Sequence, residues 1–192
     1  MMLRVLPLFA VLALAAGSAT ADPADSAQVE FLQHQSVVPA NWVAEQPTSG
    51  MRVLQYQVPG EGESEPGNFI VYYFGPGQGG SVEANLERWR SQFSGPDGGP
   101  VTPAITQLQS GGAPATLVEL EGSYARSVGV GQEGELLPQR MLLAAVVETP
   151  QGNLYPQLHG PADLVRGQRE AFVAFVTSIK PDAGAADQPE TK

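Results

Sequence analysis

Across residues 51–58 the apolar side chains Leu54, Tyr56 and Val58 alternate with Gln55 and Gln57, a two-residue period that predicts a strand with one buried face. A polar stretch rich in Gly, Pro and Glu interrupts it, and residues 68–74 return as a run of aromatic and β-branched residues. The two segments therefore read as a hairpin. Further strands are predicted at 104–109, 115–124, 141–149 and 154–158. The last two flank Pro150-Gln151-Gly152-Asn153, a turn sequence that favours antiparallel pairing.

The period lengthens in two places. Val82, Leu86, Trp89 and Phe93 recur at helical spacing over 82–93, with Ser81 placed to cap the start and Gly95-Pro96 to stop the helix. A second helix is expected over 161–179, with Leu164, Ala171, Phe172, Phe175, Val176 and Ile179 on its apolar face. Pro161 sits where a missing N–H costs nothing, and Lys180-Pro181 ends the run. Strands in series, one helix among them and one closing the chain, predict an α+β domain in which helices pack against an antiparallel sheet.

The amino terminus follows another logic. Arg4 precedes an apolar run over 5–17, too short for the about 20 residues a membrane span needs, and Ala19-Thr20-Ala21 matches the small-residue site cut by signal peptidase. The expected organisation is a signal peptide over 1–21, one domain over 22–181 and a polar, acidic, disordered tail over 182–192. Leu14-Ala15-Ala16-Gly17 resembles a lipoprotein signal, but Ser18 follows where lipid attachment needs a thiol, and the chain has no Cys. Neither a lipid anchor there nor a disulfide can form, and no membrane span is expected after cleavage. Of 192 residues, 20 are Asp or Glu and 10 are Lys or Arg, and loss of Arg4 with the leader takes the formal charge from −10 to −11. That excess opposes nucleic acid and anionic membrane as partners and keeps the chain soluble.

Pro39-Ala40-Asn41-Trp42, Ser49-Gly50-Met51-Arg52, Phe74-Gly75 and the segment Gly79-Gly80-Ser81-Val82-Glu83-Ala84-Asn85-Leu86-Glu87-Arg88-Trp89 together resemble a group of exported bacterial proteins of uncharacterised function. The resemblance spans about 39–179 and implies a fold like that of the photosystem subunit PsbP. It also implies a non-catalytic binding or assembly role, and it carries over no functional residue.

The loop Gly75-Pro76-Gly77-Gln78-Gly79-Gly80 matches G-x-G-x-x-G, yet the helix after it leads into a turn rather than a second parallel strand. Gly80 also stands where a phosphate loop needs Lys. The loop is expected to set the entry angle of the helix, the other reading being a small anion held on the helix start. Gly79, Gly80, Ser81, Asn85 and Arg88 are the candidate ligand-binding or structural residues. Asn85 falls beside the apolar face, where a buried amide needs partners, and bonds to loop carbonyls would supply them. His34 and His159 are too few and too scattered for a metal site, no G-x-S-x-G elbow marks a hydrolase, and Glu61, Glu63 and Glu65 read as a solvated turn rather than a calcium loop. No cofactor is expected. The reading is a periplasmic or secreted binding module whose partner is another envelope or secreted protein, the alternatives being an anion carrier with its site at Gly80-Ser81 or a hydrolase. N-terminal sequencing of the exported protein should begin at Asp22, and recovery of a folded chain still starting at Met1 would remove the compartment assignment.

Overall fold

The computed structural model describes residues 26–125 and 135–182. The expected leader, its cleavage site and the tail beyond Asp182 lie outside the described residues. Eleven strands and three helices follow in the order β1 (Ser26–Phe31), β2 (His34–Pro39), β3 (Val43–Ala44), β4 (Arg52–Val58), β5 (Gly67–Tyr73), α1 (Val82–Arg90), β6 (Phe93–Ser94), β7 (Ala104–Ser110), β8 (Ala113–Ala125), β9 (Leu136–Thr149), β10 (Gly152–Pro161), α2 (Ala162–Gly167), α3 (Arg169–Ser178) and β11 (Lys180–Pro181). The main sheet has eight antiparallel strands in the order β3-β4-β5-β10-β9-β8-β6, with β7 beside β6 on the outer flank of β8. A small sheet, β1-β2-β11, stands apart from it. Among the described residues no helix is long and apolar enough to cross a membrane.

β9 shows how the sequence makes the layers. Seven consecutive residues, Met141 to Val147, are buried. Successive side chains of a strand point to opposite faces, so Met141, Leu143, Ala145 and Val147 enter one core and Leu142, Ala144 and Val146 the other. The first core is closed by α2 and α3 through Val165, Phe172, Phe175 and Val176, the second by α1 through Trp89. The sheet is thus covered on both faces, and strands outweigh helices, so the α+β label holds only broadly.

The predicted strands are all present, and 51–58 pairs with 68–74 as β4 and β5, as 141–149 does with 154–158 in β9 and β10. The helices need correction. α1 stops at Arg90 rather than Phe93: Ser91 caps it, and Phe93 enters β6, where it pairs with Tyr124 and packs in the core as a strand residue. Gly95-Pro96 belongs to the next turn, closed by Gly95 N–H to Gly99 O and by Gly99 N–H to Asp97 Oδ1. The long helix over 161–179 is two helices. Gly167, a poor helix former, precedes Gln168 at φ −94 and ψ 5, and the Gln168 side chain accepts from Trp42 Nε1 at 3.1 Å. Both helices still turn the expected residues inward.

The small sheet carries little apolar alternation, and the sequence reading did not find it. Side-chain bonds hold it instead: Ser36 Oγ donates to Phe175 O at 2.8 Å and lies 2.8 Å from Ser178 Oγ, while β11 pairs with β2. Asp182 N–H donates to Gln33 O, so the first residue of the expected tail is still tied to the fold. Trp89, 3% exposed, is the largest side chain that α1 contributes. Trp89→Ala should cost roughly 3–5 kcal/mol of stability, as is typical for truncating a buried tryptophan. Urea or thermal unfolding measures this, and an unchanged midpoint would mean that α1 does not close the second core.

Candidate functional site

The five residues singled out in the sequence come together at the start of α1. Gly79 and Gly80 have φ of +91 and +84, and a Cβ on Gly79 would come within 2.6 Å of a Tyr155 ring carbon, so both the backbone and the neighbour require glycine there. Asn85 is 1% exposed, and its Nδ2 donates to Gly79 O and to Ser81 O, each at 2.9 Å. The Tyr155 hydroxyl lies 3.1 Å from Gly80 O and 3.3 Å from Gln78 O. Four successive loop carbonyls therefore face inward onto one amide and one phenol.

The helix start is also occupied. Ser81 Oγ accepts from Ala84 N–H at 3.2 Å, and the Glu83 carboxyl is held below its usual range by its own backbone N–H and by the Ser81 hydroxyl. An anion arriving there would meet a carboxylate already in place. Arg88 stands at the rim, exposed, with its guanidinium beside Gly80 and hydrogen-bonded to no described residue. This geometry ties down a loop.

A concavity lies elsewhere. A cleft of about 780 Å³ opens at the end of the sheet where the β4–β5 turn, the bulged part of β9 and the start of α2 meet. Two held guanidinium groups define it. Arg140, 8% exposed, grips Glu65 through two hydrogen bonds of 3.0 and 2.6 Å, and Arg166 bonds Asp163 at 2.6 Å and Glu121 at 2.8 Å. The Arg140 guanidinium holds the Glu65 carboxyl below the usual carboxylate range.

Next to Arg140, Gln139 has φ +54, and the β8–β9 register passes from Gly122–Arg140 to Tyr124–Leu137. One β8 residue is thereby opposed by two on β9, a bulge that bends the strand. Sequence reasoning missed this site because Glu65 and Arg140 are 75 positions apart and share no local motif. Of the three glutamates in the β4–β5 turn, Glu65 is committed to Arg140 and Glu61 lines the cleft. Among the described residues no group of three or more His, Cys, Asp or Glu could hold a metal ion.

The histidines sit in separate places. His34 is buried in the small sheet against Phe31, and burial lowers its pKa. His159 lies 4.2 Å from the Tyr124 ring and 6.3 Å from Phe93, centroid to centroid. Burial first and Arg140 second push it down to about 4, against a smaller opposing pull from Glu65. His34 Nδ1 and His159 Nε2 are both buried without a partner, and neither ring hydrogen-bonds a serine or a carboxylate among the described residues. That is not the geometry of an activated nucleophile.

Two expectations follow. Asn85→Ala should lower stability by about 1–3 kcal/mol, because it removes a buried amide that donates to two loop carbonyls. Thermal melting decides this, and an unchanged midpoint would show that the loop does not depend on the amide. Between pH 6.5 and about 4 the unfolded chain takes up a proton at His159 that the folded chain refuses. Stability is therefore full above 6.5 and lost as the pH falls toward 4, by about 3 kcal/mol at the limit. Urea unfolding of wild type and His159→Leu across this range should show a flatter slope in the variant; equal slopes would mean the ring titrates normally.

No family model matches the chain, and no curated protein does. Solved structures do resemble it. LpqN of Mycobacterium tuberculosis, described as involved in cell envelope biogenesis, is 16% identical, with a TM-score of 0.52 over 84% of this chain and 87% of that one. Cyanobacterial PsbP (CyanoP) from Synechocystis is 13% identical, with a TM-score of 0.51 over 86% of this chain and 98% of that one. A Pseudomonas aeruginosa protein of unknown function, described as a putative regulator, is 15% identical, with a TM-score of 0.48 over 81% of this chain and 96% of that one. The fold is PsbP-like.

Proposed function

We propose that this protein is a non-catalytic binding or assembly module working outside the cytoplasm, periplasmic or secreted, and that it meets another envelope or secreted protein at the Arg140 cleft. The observation that carries this reading is the cleft itself, where a bulged strand and an ion pair fix a buried guanidinium at the end of the sheet. The leader expected over 1–21 supports the compartment. So does the likeness to LpqN, a protein described as involved in cell envelope biogenesis.

The chemistry of the cleft favours binding over turnover. Its two arginines already face carboxylates, and Glu61, Glu65, Glu121 and Asp163 outnumber them on its walls. A partner that presents a lysine or arginine side chain suits that balance, and the acidity of the whole chain would speed its approach. Tagged protein should retain a defined partner from its native envelope fraction. Glu61→Lys, on the cleft wall, should lose most of that capture, while Glu63→Lys in the same turn but off the cleft should keep it. Equal capture by both variants would place the contact elsewhere, and no specific capture by wild type would remove the binding reading.

A further inference from the structure

The two outer edges of the main sheet are built differently. At one, β3 has only two residues, the β4–β5 register shifts between Arg52 and Leu54, and Arg52 and Glu45 both bond Gln55. Brevity, a bulge and charge are the devices by which exposed edges avoid pairing with other chains. At the other, β7 runs for seven residues, Ala-Ile-Thr-Gln-Leu-Gln-Ser, and pairs with β8 in an unbroken register from Ala104–Glu119 to Ser110–Ala113. Among the described residues β8 is its sole strand partner. It contains no proline and no charge, and five of its residues, Ala104 to Gln107 and Gln109, are exposed.

The lack of charge extends beyond the strand. Residues 98–118 contain no Asp, Glu, Lys or Arg, the longest such run in a chain whose formal charge is −10. β7 is also held rigidly in place. Ser110 Oγ donates to Val176 O of α3 at 2.6 Å, and Leu108 packs on the core beneath. An ordered strand with an open row of backbone donors and acceptors is a template for another strand.

We propose that β7 is a homodimer edge: two copies pair their β7 strands antiparallel across a two-fold axis, joining two eight-stranded sheets into one. A second copy fits better than a foreign segment for two reasons. Near a two-fold axis each residue faces itself or a close neighbour, so any charge there would meet its like, and β7 with its flanks has none. Two acidic copies repel one another over most of their surface, which leaves the uncharged run as the place where they can touch. The same neutrality gives a charged stranger nothing to recognise.

The test uses protein purified after expression of the full chain. Light scattering coupled to gel filtration, over micromolar to high-micromolar concentrations, should give twice the monomer mass. Thr106→Lys places like charges near the axis and should shift the mass to monomer at the same concentrations with the melting temperature retained. Because the chain has no cysteine, Gln107→Cys supplies a second readout free of background. A short bismaleimide should link it rapidly into dimers, while Glu148→Cys, on the exposed end of β9, should stay monomeric. Wild type that is monomeric throughout, Thr106→Lys that stays dimeric, or Gln107→Cys that links no faster than Glu148→Cys would each overturn the proposal.

Discussion

The structure depends most on the two-sided burial of β9. A strand covered on one face needs polar residues at every second position, and a surface change there is cheap. Met141 to Val147 have no such position. Their odd-numbered members share one core with α2 and α3 and their even-numbered members share the other with Trp89 of α1, so one strand contributes to the packing beneath both helical layers. With no disulfide available, this packing and the pairing of β9 with β8 and β10 hold the protein together.

The loop before α1 rests on that frame. Tyr155 comes from β10, the strand next to β9, and its ring belongs to the core that α1 closes while its hydroxyl reaches the loop carbonyls. Asn85, on the helix, takes the neighbouring carbonyls from the other side. The glycines supply backbone angles that other residues resist, and the two polar side chains satisfy the carbonyls those angles turn inward. A motif that looks like a phosphate cradle is here turned inside out, its carbonyls pulled onto the protein.

Much of this was legible in the sequence, and the reasons are local. Alternation in 51–58 and the turn at Pro150-Gln151-Gly152-Asn153 found strands because each depends on neighbours in the chain. The inward position of Asn85 could be read because helical spacing placed it beside Val82 and Trp89. The missed features depend on distant residues. β1 and β2 have weak alternation and are fixed by Ser36 bonding α3, 139 positions away. The break at Gln168 comes partly from Trp42, 126 positions away. The Arg140 cleft joins residues from the β4–β5 turn, β9 and α2, and only the folded sheet brings them together.

The Arg140–Glu65 pair is a costly feature of the fold. Arg140 is nearly buried while the Glu65 side chain is 58% exposed, so the cost of desolvation falls on one partner and water screens the attraction from the other. The neighbouring Gln139 holds a left-handed backbone that costs a non-glycine residue of order 1–3 kcal/mol. Two unfavourable choices thus stand side by side at the mouth of the cleft. The sheet tolerates them because β9 is anchored so firmly beyond the bulge, which supports reading the cleft as the place where the fold gives up stability for recognition.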